Sequence, residues 1–320
     1  RQVFNNNNAS AVYKSSEKEV FNRLQDVRLG EPFLPPDDRQ ATVIFPGFDG
    51  GAHWGGAAFD PESGILYVNA TELPFTYKLV KIKTDSGDPG KSSYQKQCVS
   101  CHGFDRRGNT KDVPSLLNVK DRLSSTQIEN IIRKGKGRMT GFPQLSYEEV
   151  LLILDYLNTP ANEMIARRDG AKEISSESAQ STYLHSGQFP LFDKDGYPAI
   201  TPPWGTLTAI DLNKAEINWQ VSLGEYPELA EKGIRNTGTL NYGGAVVTRG
   251  GLIFIAATTD RKFRAFDKRN GKLLWETELP ASGFATPSVY AVNGKQYVVI
   301  AAGGGKFGMK SSGEYIAYSL

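Results

Sequence analysis

The sequence predicts a mainly β protein built of propeller-type blades and interrupted by a small all-α module. Three observations carry that expectation. Glycine and proline are abundant, 33 and 17 in 320 residues, and aromatics make up 11%, a mixture that suits short strands joined by tight turns. A strand, an Asp turn and a strand ending in Trp recur, as in "TAIDLNKAEINWQVSL" and "RAFDKRNGKLLWETEL". Between the β-rich ends lies a stretch with helical periodicity that holds the only two cysteines.

The chain divides at these pattern changes into 1–83, 84–168 and 169–320. The first zone is loop-rich and ends in "HWGGAAFDPESGILYVNA", where the Asp-Pro and Ser-Gly punctuation separates two apolar runs and predicts a hairpin. In the second zone, "SSTQIENIIRKG" offers a Ser pair for N-capping, places Ile128, Ile131 and Ile132 on one face, and stops at Gly135. "SYEEVLLILDYLNTP" repeats that logic with Val150, Ile153, Leu154 and Leu157, acidic residues in its first turn and Pro160 at its end. The charged, Ser-rich "RRDGAKEISSESAQS" that follows reads as a surface linker.

The third zone holds the gap-free repeat: Ala209, Asp211 and Trp219 match Ala265, Asp267 and Trp275. A partial copy in the first zone supplies Ala58, Asp60 and Gly64, with Val68 in place of Trp. Sheets that recur in this way must bury their faces against neighbours, which implies a propeller. "GGLIFIAATTDRKFRAFDKRNGKLLWETEL" supplies three strands of one blade, and "SVYAVNGKQYVVIAA" adds a hairpin on its Asn-Gly turn. About three blades are expected, too few to close a ring, so the chain is expected to be part of a larger propeller.

Charge and hydropathy exclude two classes. The balance of 37 basic and 35 acidic residues leaves +2, too small and too evenly spread for a nucleic-acid partner. No apolar run approaches the roughly 20 residues of a transmembrane helix.

The two cysteines stand in "YQKQCVSCHGFDRRG". Two thiols three positions apart, followed at once by His, suit addition to the vinyl groups of a haem while the imidazole ligates its iron. Cys98 and Cys101 are therefore the candidate attachment residues and His102 the candidate iron ligand. The alternatives are a thioredoxin-like redox pair, a zinc half-site or a structural disulfide. Zinc would want further Cys or His nearby and a redox pair a βαβ context; neither is in the sequence. Met139 and Met164 are the methionines within the module. Met139, in the Gly- and Pro-bounded "GKGRMTGFP", is the better sixth ligand and otherwise hydrophobic filler.

With these motifs in hand, the second zone resembles a class I cytochrome c domain over about 75 residues. The resemblance rests on Gly90, Tyr94 and Cys98 spaced four apart, "CVSCH", "VPSLLNV", "GRMTGFP" and the terminal helix. It implies that the Pro114 carbonyl orients His102 and that the protein is periplasmic or otherwise extracytoplasmic, where haem is attached.

The flanking zones resemble the C-terminal part of the propeller of pyrroloquinoline quinone (PQQ) dependent quinoprotein dehydrogenases, membrane-type glucose and quinate dehydrogenases in particular. "GGAHWGGAAFDPESGILYVNA", "GYPAITPPWGTLTAIDLNKAEINW", "NYGGAVVTRGGLIFIAATTDRKFRAFDKRNGKLLWETELPASGFATPSVY" and "GKQYVVIAAGGG" carry that likeness. The Ala-x-Asp…Gly…Trp unit is similar to that family's tryptophan-docking motif, with Ala215 replacing Gly in one copy. The fold expected from the resemblance is a partial eight-bladed β-propeller interrupted by a cytochrome c domain.

For PQQ, the resemblance carries over Trp54, with His53 in place of the family's Asn; His53 is otherwise a packing or loop residue. Tyr242 falls near the expected cofactor plane, and Gly243 beside it permits close approach. Relatives of the glucose type have His in a final "GGHG"; here Gly305 stands there and Lys306 follows, a departure that weighs against a glucose-type site. Lys306 is either a partner for a PQQ carboxylate or a solvated surface lysine. His185 reads as a loop residue and Met309 as packing.

Together these imply a quinohaemoprotein that oxidises an alcohol or sugar with PQQ and passes electrons to haem c, then to a cytochrome or quinone. The family's Asp base and calcium ion would come from propeller N-terminal to this chain, so no catalytic base is named. The rival readings are a stand-alone electron-transfer protein with a non-catalytic propeller platform, and a haem-linked sensor or binding module.

Overall fold

In the computed structural model, residues 3–83, 88–108, 113–137, 139–159, 181–185, 189–305 and 309–319 are described. The linker residues 167–180, Met164 and Lys306 lie outside the described residues.

The first zone holds more regular structure than its composition predicts. Helix α1 (Lys14–Leu24) buries Ser16, Val20 and Leu24, and β1 (Val27–Arg28) pairs in parallel with β2 (Ala41–Ile44). The low mean hydropathy of α1 hides its narrow apolar stripe from a composition-based reading. The predicted hairpin forms as β3 (Ala58–Asp60) and β4 (Ile65–Thr71). Two further strands, β5 (Phe75–Tyr77) and β6 (Leu79–Lys83), lead toward the helical stretch.

The chain returns along the same path. Strand β9 (Ser181–His185) pairs antiparallel with β6, and β10 (Phe189–Pro190) with β5. Everything between Lys83 and Ser181 therefore leaves and re-enters through a two-stranded stem. His185, expected in a loop, is a strand residue opposite Leu79; the β-branched and aromatic residues of "STYLH" suit that ladder better than a turn.

Beyond the stem run β11 (Gly205–Asp211), β12 (Glu216–Ser222), β13 (Val246–Val247), β14 (Leu252–Ile255), β15 (Lys262–Asp267) and β16 (Leu273–Glu278). The last three are β17 (Ser288–Val292), β18 (Lys295–Gly304) and β19 (Ser311–Ser319). Among the described residues, sheets of three or four strands form in the orders β1-β2-β5-β10, β12-β11-β4-β3, β13-β14-β15-β16 and β17-β18-β19. That is one sheet more than the repeat count predicts, because the first sheet lacks the Asp-turn unit. The second sheet joins β4 to β11 across the whole helical stretch.

The repeat explains how the second and third sheets dock. In both full copies the Ala faces the Trp of the next strand, Ala209 opposite Trp219 and Ala265 opposite Trp275, and each ladder bulges directly after the Ala. The Asp closes the turn by accepting backbone N–H groups: Asp211 from Asn213 at 2.9 Å, Asp267 from Arg269 at 2.8 Å, Asp60 from Glu62 at 3.2 Å. The Trp219 indole lies over the Asp267–Gly271 turn of the next sheet, its Nε1 donating to the Lys268 carbonyl at 3.2 Å. Lys268 in turn reaches back to Asp60 at 2.8 Å. Apolar residues Ile65, Tyr67, Leu207, Ile253, Ile255 and Phe266 fill the space between the two sheets.

The turn position occupied by Gly271 (φ +71°) and Gly64 (φ +71°) is held by Ala215 at φ +57° in the third copy. A Cβ in this left-handed region is strained. Ala215→Gly is therefore expected to stabilise the chain by about 0.5–1 kcal/mol, read from the urea midpoint.

The same turns make the fold sensitive to acid. The Asp267 carboxyl is held down to about 2, chiefly by the Arg269 side chain and then by the Arg269 backbone N–H. Asp60 is lowered by the Lys268 side chain first and Ser63 second. A depressed folded-state pKa gives stability that is present above the unfolded value of about 4 and lost as pH falls toward the folded one. The urea midpoint is expected to fall between about pH 4 and pH 2; Asp267→Asn should flatten that slope, and an unchanged slope would exclude Asp267 as its source.

Candidate functional site

The helical stretch builds its site from short capped elements. Helix α2 (Pro89–Gln97) starts on Asp88, whose side chain accepts the Lys91 N–H, with Pro89 at the first position. It runs into the single turn α3 (Val99–His102). Helices α4 (Ser125–Lys134) and α5 (Tyr147–Asn158) each open with a full capping box, Ser124/Gln127 and Ser146/Glu149. Ile128 and Ile132 are buried as predicted while Ile131 is only half-buried, and Val150, Ile153, Leu154 and Leu157 are all buried. They pack with Tyr94, Cys98, Val99, Val119 and Tyr156 into one core. Helices α2 and α5 cross so closely that a Cβ on Gly90 would lie 2.3 Å from the Leu152 carbonyl oxygen.

This packing fixes the Cys-x-x-Cys-His segment. Cys98 is buried and Cys101 exposed, and the described residues leave both free of a disulfide. Burial, then the neighbouring Cys101, pushes the Cys98 thiol up to about 12. That is opposite to the lowered thiol pKa of a nucleophilic redox pair. Tyr94 donates its hydroxyl to the Gly103 carbonyl at 2.8 Å, tying the end of α3 to α2. His102 is buried, and its Nδ1 lies 3.1 Å from the Pro114 carbonyl oxygen. As the donor in that bond, Nδ1 leaves Nε2 with the lone pair. Burial lowers the His102 pKa, only partly opposed by the Pro114 bond, so the ring is held in the neutral form that ligates metals. Met139 is not in a free loop: β8 (Met139–Thr140) pairs with β7 (Gly135–Lys136), and Met139 is half-buried. Among the described residues no group of three or more His, Cys, Asp or Glu side chains is placed to hold a metal.

The second cluster lies where segments passing between the sheets converge. Leu73, Phe75, Leu240, Tyr242 and Phe284 form its apolar floor, with Met309 packed alongside. Tyr242 is buried and donates its hydroxyl to Asp49 Oδ2 at 2.9 Å. The buried His53 ring sits 4.6 Å from the Tyr242 ring, centroid to centroid. The segments carrying His53 and Trp54 and carrying Tyr242 and Gly243 thus approach each other closely, since a Cβ on Gly55 would lie 2.0 Å from the Gly243 carbonyl carbon. The space beside Gly243 (φ +99°) is filled by the Phe284 carbonyl, 2.7 Å from where a Cβ would be. Of these four residues Trp54 has the open surface, 76% exposed as a residue.

Two residues escaped the sequence reading. Asp49 carries no motif beyond a glycine-rich loop, and its partner lies 193 positions away. Arg106, inside the quoted Cys-x-x-Cys-His segment, looks like a surface arginine yet is 2% exposed.

Stacked antiparallel sheets clasped by a tryptophan over the next sheet's Asp turn define a protein of the β-propeller class. The chain belongs to the family "PQQ: Glucose/ethanol/alcohol dehydrogenase, beta-propeller domain", which matches residues 1–127 and 147–298. It is 43% identical over 293 residues to quinoprotein glucose dehydrogenase A of Acinetobacter calcoaceticus, covering 90% of this chain and 27% of that protein. It is 42% identical over 132 residues to a quinate/shikimate dehydrogenase (quinone) of Acinetobacter baylyi, covering 39% of this chain and 16% of that one. The solved quinohemoprotein alcohol dehydrogenase of Comamonas testosteroni resembles it at 18% identity and a TM-score of 0.42, covering 87% of this chain and 27% of that one. The chain spans under a third of the length of the curated relatives it matches.

Proposed function

We propose that this chain is part of a PQQ-dependent dehydrogenase that oxidises an alcohol, sugar or quinate-type hydroxyl and relays the electrons through a covalently bound haem c. Membership of the PQQ propeller family carries the first half of this reading. The single observation that carries the second half is the pairing of a buried, neutral His102 with the Pro114 carbonyl beside Cys98 and Cys101.

The donor set fits haem. Cys98 and Cys101 would attach it, His102 would bind the iron through Nε2, and Met139 would supply the second protein ligand. Haem bound in this way supplies one-electron transfer. The chain's own residues do the rest: the Pro114 carbonyl holds the imidazole orientation, the Tyr94 hydroxyl fixes the backbone at Gly103, and the apolar core excludes water from that side. For PQQ, Trp54 offers an open aromatic face for stacking a planar cofactor, and Asp49 fixes the Tyr242 ring on which His53 rests. PQQ bound there would supply the two-electron oxidation of the substrate. We further propose that Lys306 pairs with a PQQ carboxylate, that calcium joins the site, and that the protein works outside the cytoplasm, delivering electrons to a cytochrome or quinone.

The test is expression with periplasmic haem attachment, then intact-mass analysis. A gain of one covalent haem supports the relay. An unmodified chain from cells that load a control cytochrome would reject it.

A further inference from the structure

Arg106 stands four residues beyond His102, buried and at φ +61°. Its guanidinium caps the end of α5, a helix with no basic residue in its own last turn. Nη1 donates to the Tyr156 and Leu157 carbonyls at 2.9 and 3.2 Å, and Nη2 to the Thr159 carbonyl at 3.0 Å. The cation also lies 5.3 Å from the centre of the Tyr156 ring. Carbonyls at a helix C-terminus welcome a positive charge but do not cancel it. Among the described residues Arg106 has no carboxylate partner, and its Nε is buried without a hydrogen-bond acceptor.

The backbone of the same residue reaches the other side of the site. The Arg106 carbonyl accepts the Leu116 N–H at 2.7 Å and the Ser115 hydroxyl at 3.3 Å. Those residues directly follow Pro114, whose carbonyl is the partner of His102 Nδ1. Gly108 N–H closes the loop on the His102 carbonyl at 3.0 Å. Arg106 is thus clamped to α5 by its side chain while its main chain holds the 114–116 segment against the imidazole.

We propose that Arg106 is a positioning residue of the His102 centre: it fixes the Pro114 carbonyl on the imidazole and, as a buried cation with no carboxylate partner among the described residues, raises the reduction potential of the haem. This rests on the haem reading above. Oxidised haem carries one more positive charge than reduced haem, so a fixed neighbouring cation favours reduction. A single fixed charge close to a redox centre in a protein interior changes the reduction equilibrium on the order of tenfold.

The test compares the haem-loaded full chain with Arg106→Gln and Arg106→Lys, by intact mass and then by spectroelectrochemical titration. Arg106→Gln keeps its haem and loses about tenfold in the reduction equilibrium, ~59 mV for a one-electron couple. Arg106→Lys, which keeps the charge but cannot span three carbonyls, melts lower yet stays within about twofold of the parent potential. A folded Arg106→Gln with the parent potential overturns the proposal, because a purely structural cap would move only the melting temperature. So does an Arg106→Lys that falls tenfold, a result decisive even if Arg106→Gln does not fold. A parent chain without covalent haem is a different failure, read from mass before any titration, and it removes the haem reading together with this one.

Discussion

Serine at both Cys98 and Cys101 is expected to give a chain that folds but carries no covalent haem. Each thioether requires a thiol at its own position, so the single variants should be left with one attachment and a labile cofactor, and the double variant with none. The loss should be complete, since the sequence contains no other cysteine to form a thioether. Folding of the sheets should survive. The exchange leaves the β4–β11 ladder and the Trp219 dock untouched. Intact mass and the absorption spectrum after periplasmic expression measure the first outcome, and the urea transition the second. Covalent haem retained in the double variant would exclude these cysteines as its attachment residues.

Gly271→Ala is expected to destabilise the protein by about 2–4 kcal/mol, combining left-handed strain with overpacking. The backbone there is at φ +71°, and the new methyl would lie 2.7 Å from Trp219 Cε3 and 3.0 Å from Val221 Cγ1. Trp219 is held from the other side by its Nε1 bond to Lys268 and by Tyr67, so it has little room to give. A urea midpoint unchanged within experimental scatter would mean that the tryptophan does not dock on this turn. Opposite signs for Ala215→Gly and Gly271→Ala would establish that one geometry governs both turns.

What could be read from the sequence followed from the range of the interactions. The Asp turn, the capping boxes and the Asn293–Gly294 hairpin are local, so their residue types announce them. Likewise Cys98, Cys101 and His102 are contiguous. The sheet β1-β2-β5-β10 was not legible because two of its strands are only two residues long and one pairing is parallel. Arg106 and Asp49 were missed for another reason. Their roles depend on partners at Tyr156 to Thr159 and at Tyr242, and nothing in an isolated Arg or Asp codes for a distant acceptor. Met139, in a Gly- and Pro-bounded stretch that carries no strand signal, is fixed by its pairing opposite Lys136, a ladder too short to leave a periodic pattern.

The helical stretch enters and leaves through the β6–β9 stem, and α3, which carries Cys101 and His102, packs against β9. A redox centre on α3 would therefore lie at the junction with the PQQ-family sheets. That juxtaposition makes substrate-driven haem reduction the most direct measurement. With the full-length protein reconstituted with PQQ and calcium, addition of an alcohol, an aldose or quinate should produce the reduced haem spectrum without any external mediator. A haem that stays oxidised under every substrate while an artificial acceptor is reduced in parallel would contradict the relay.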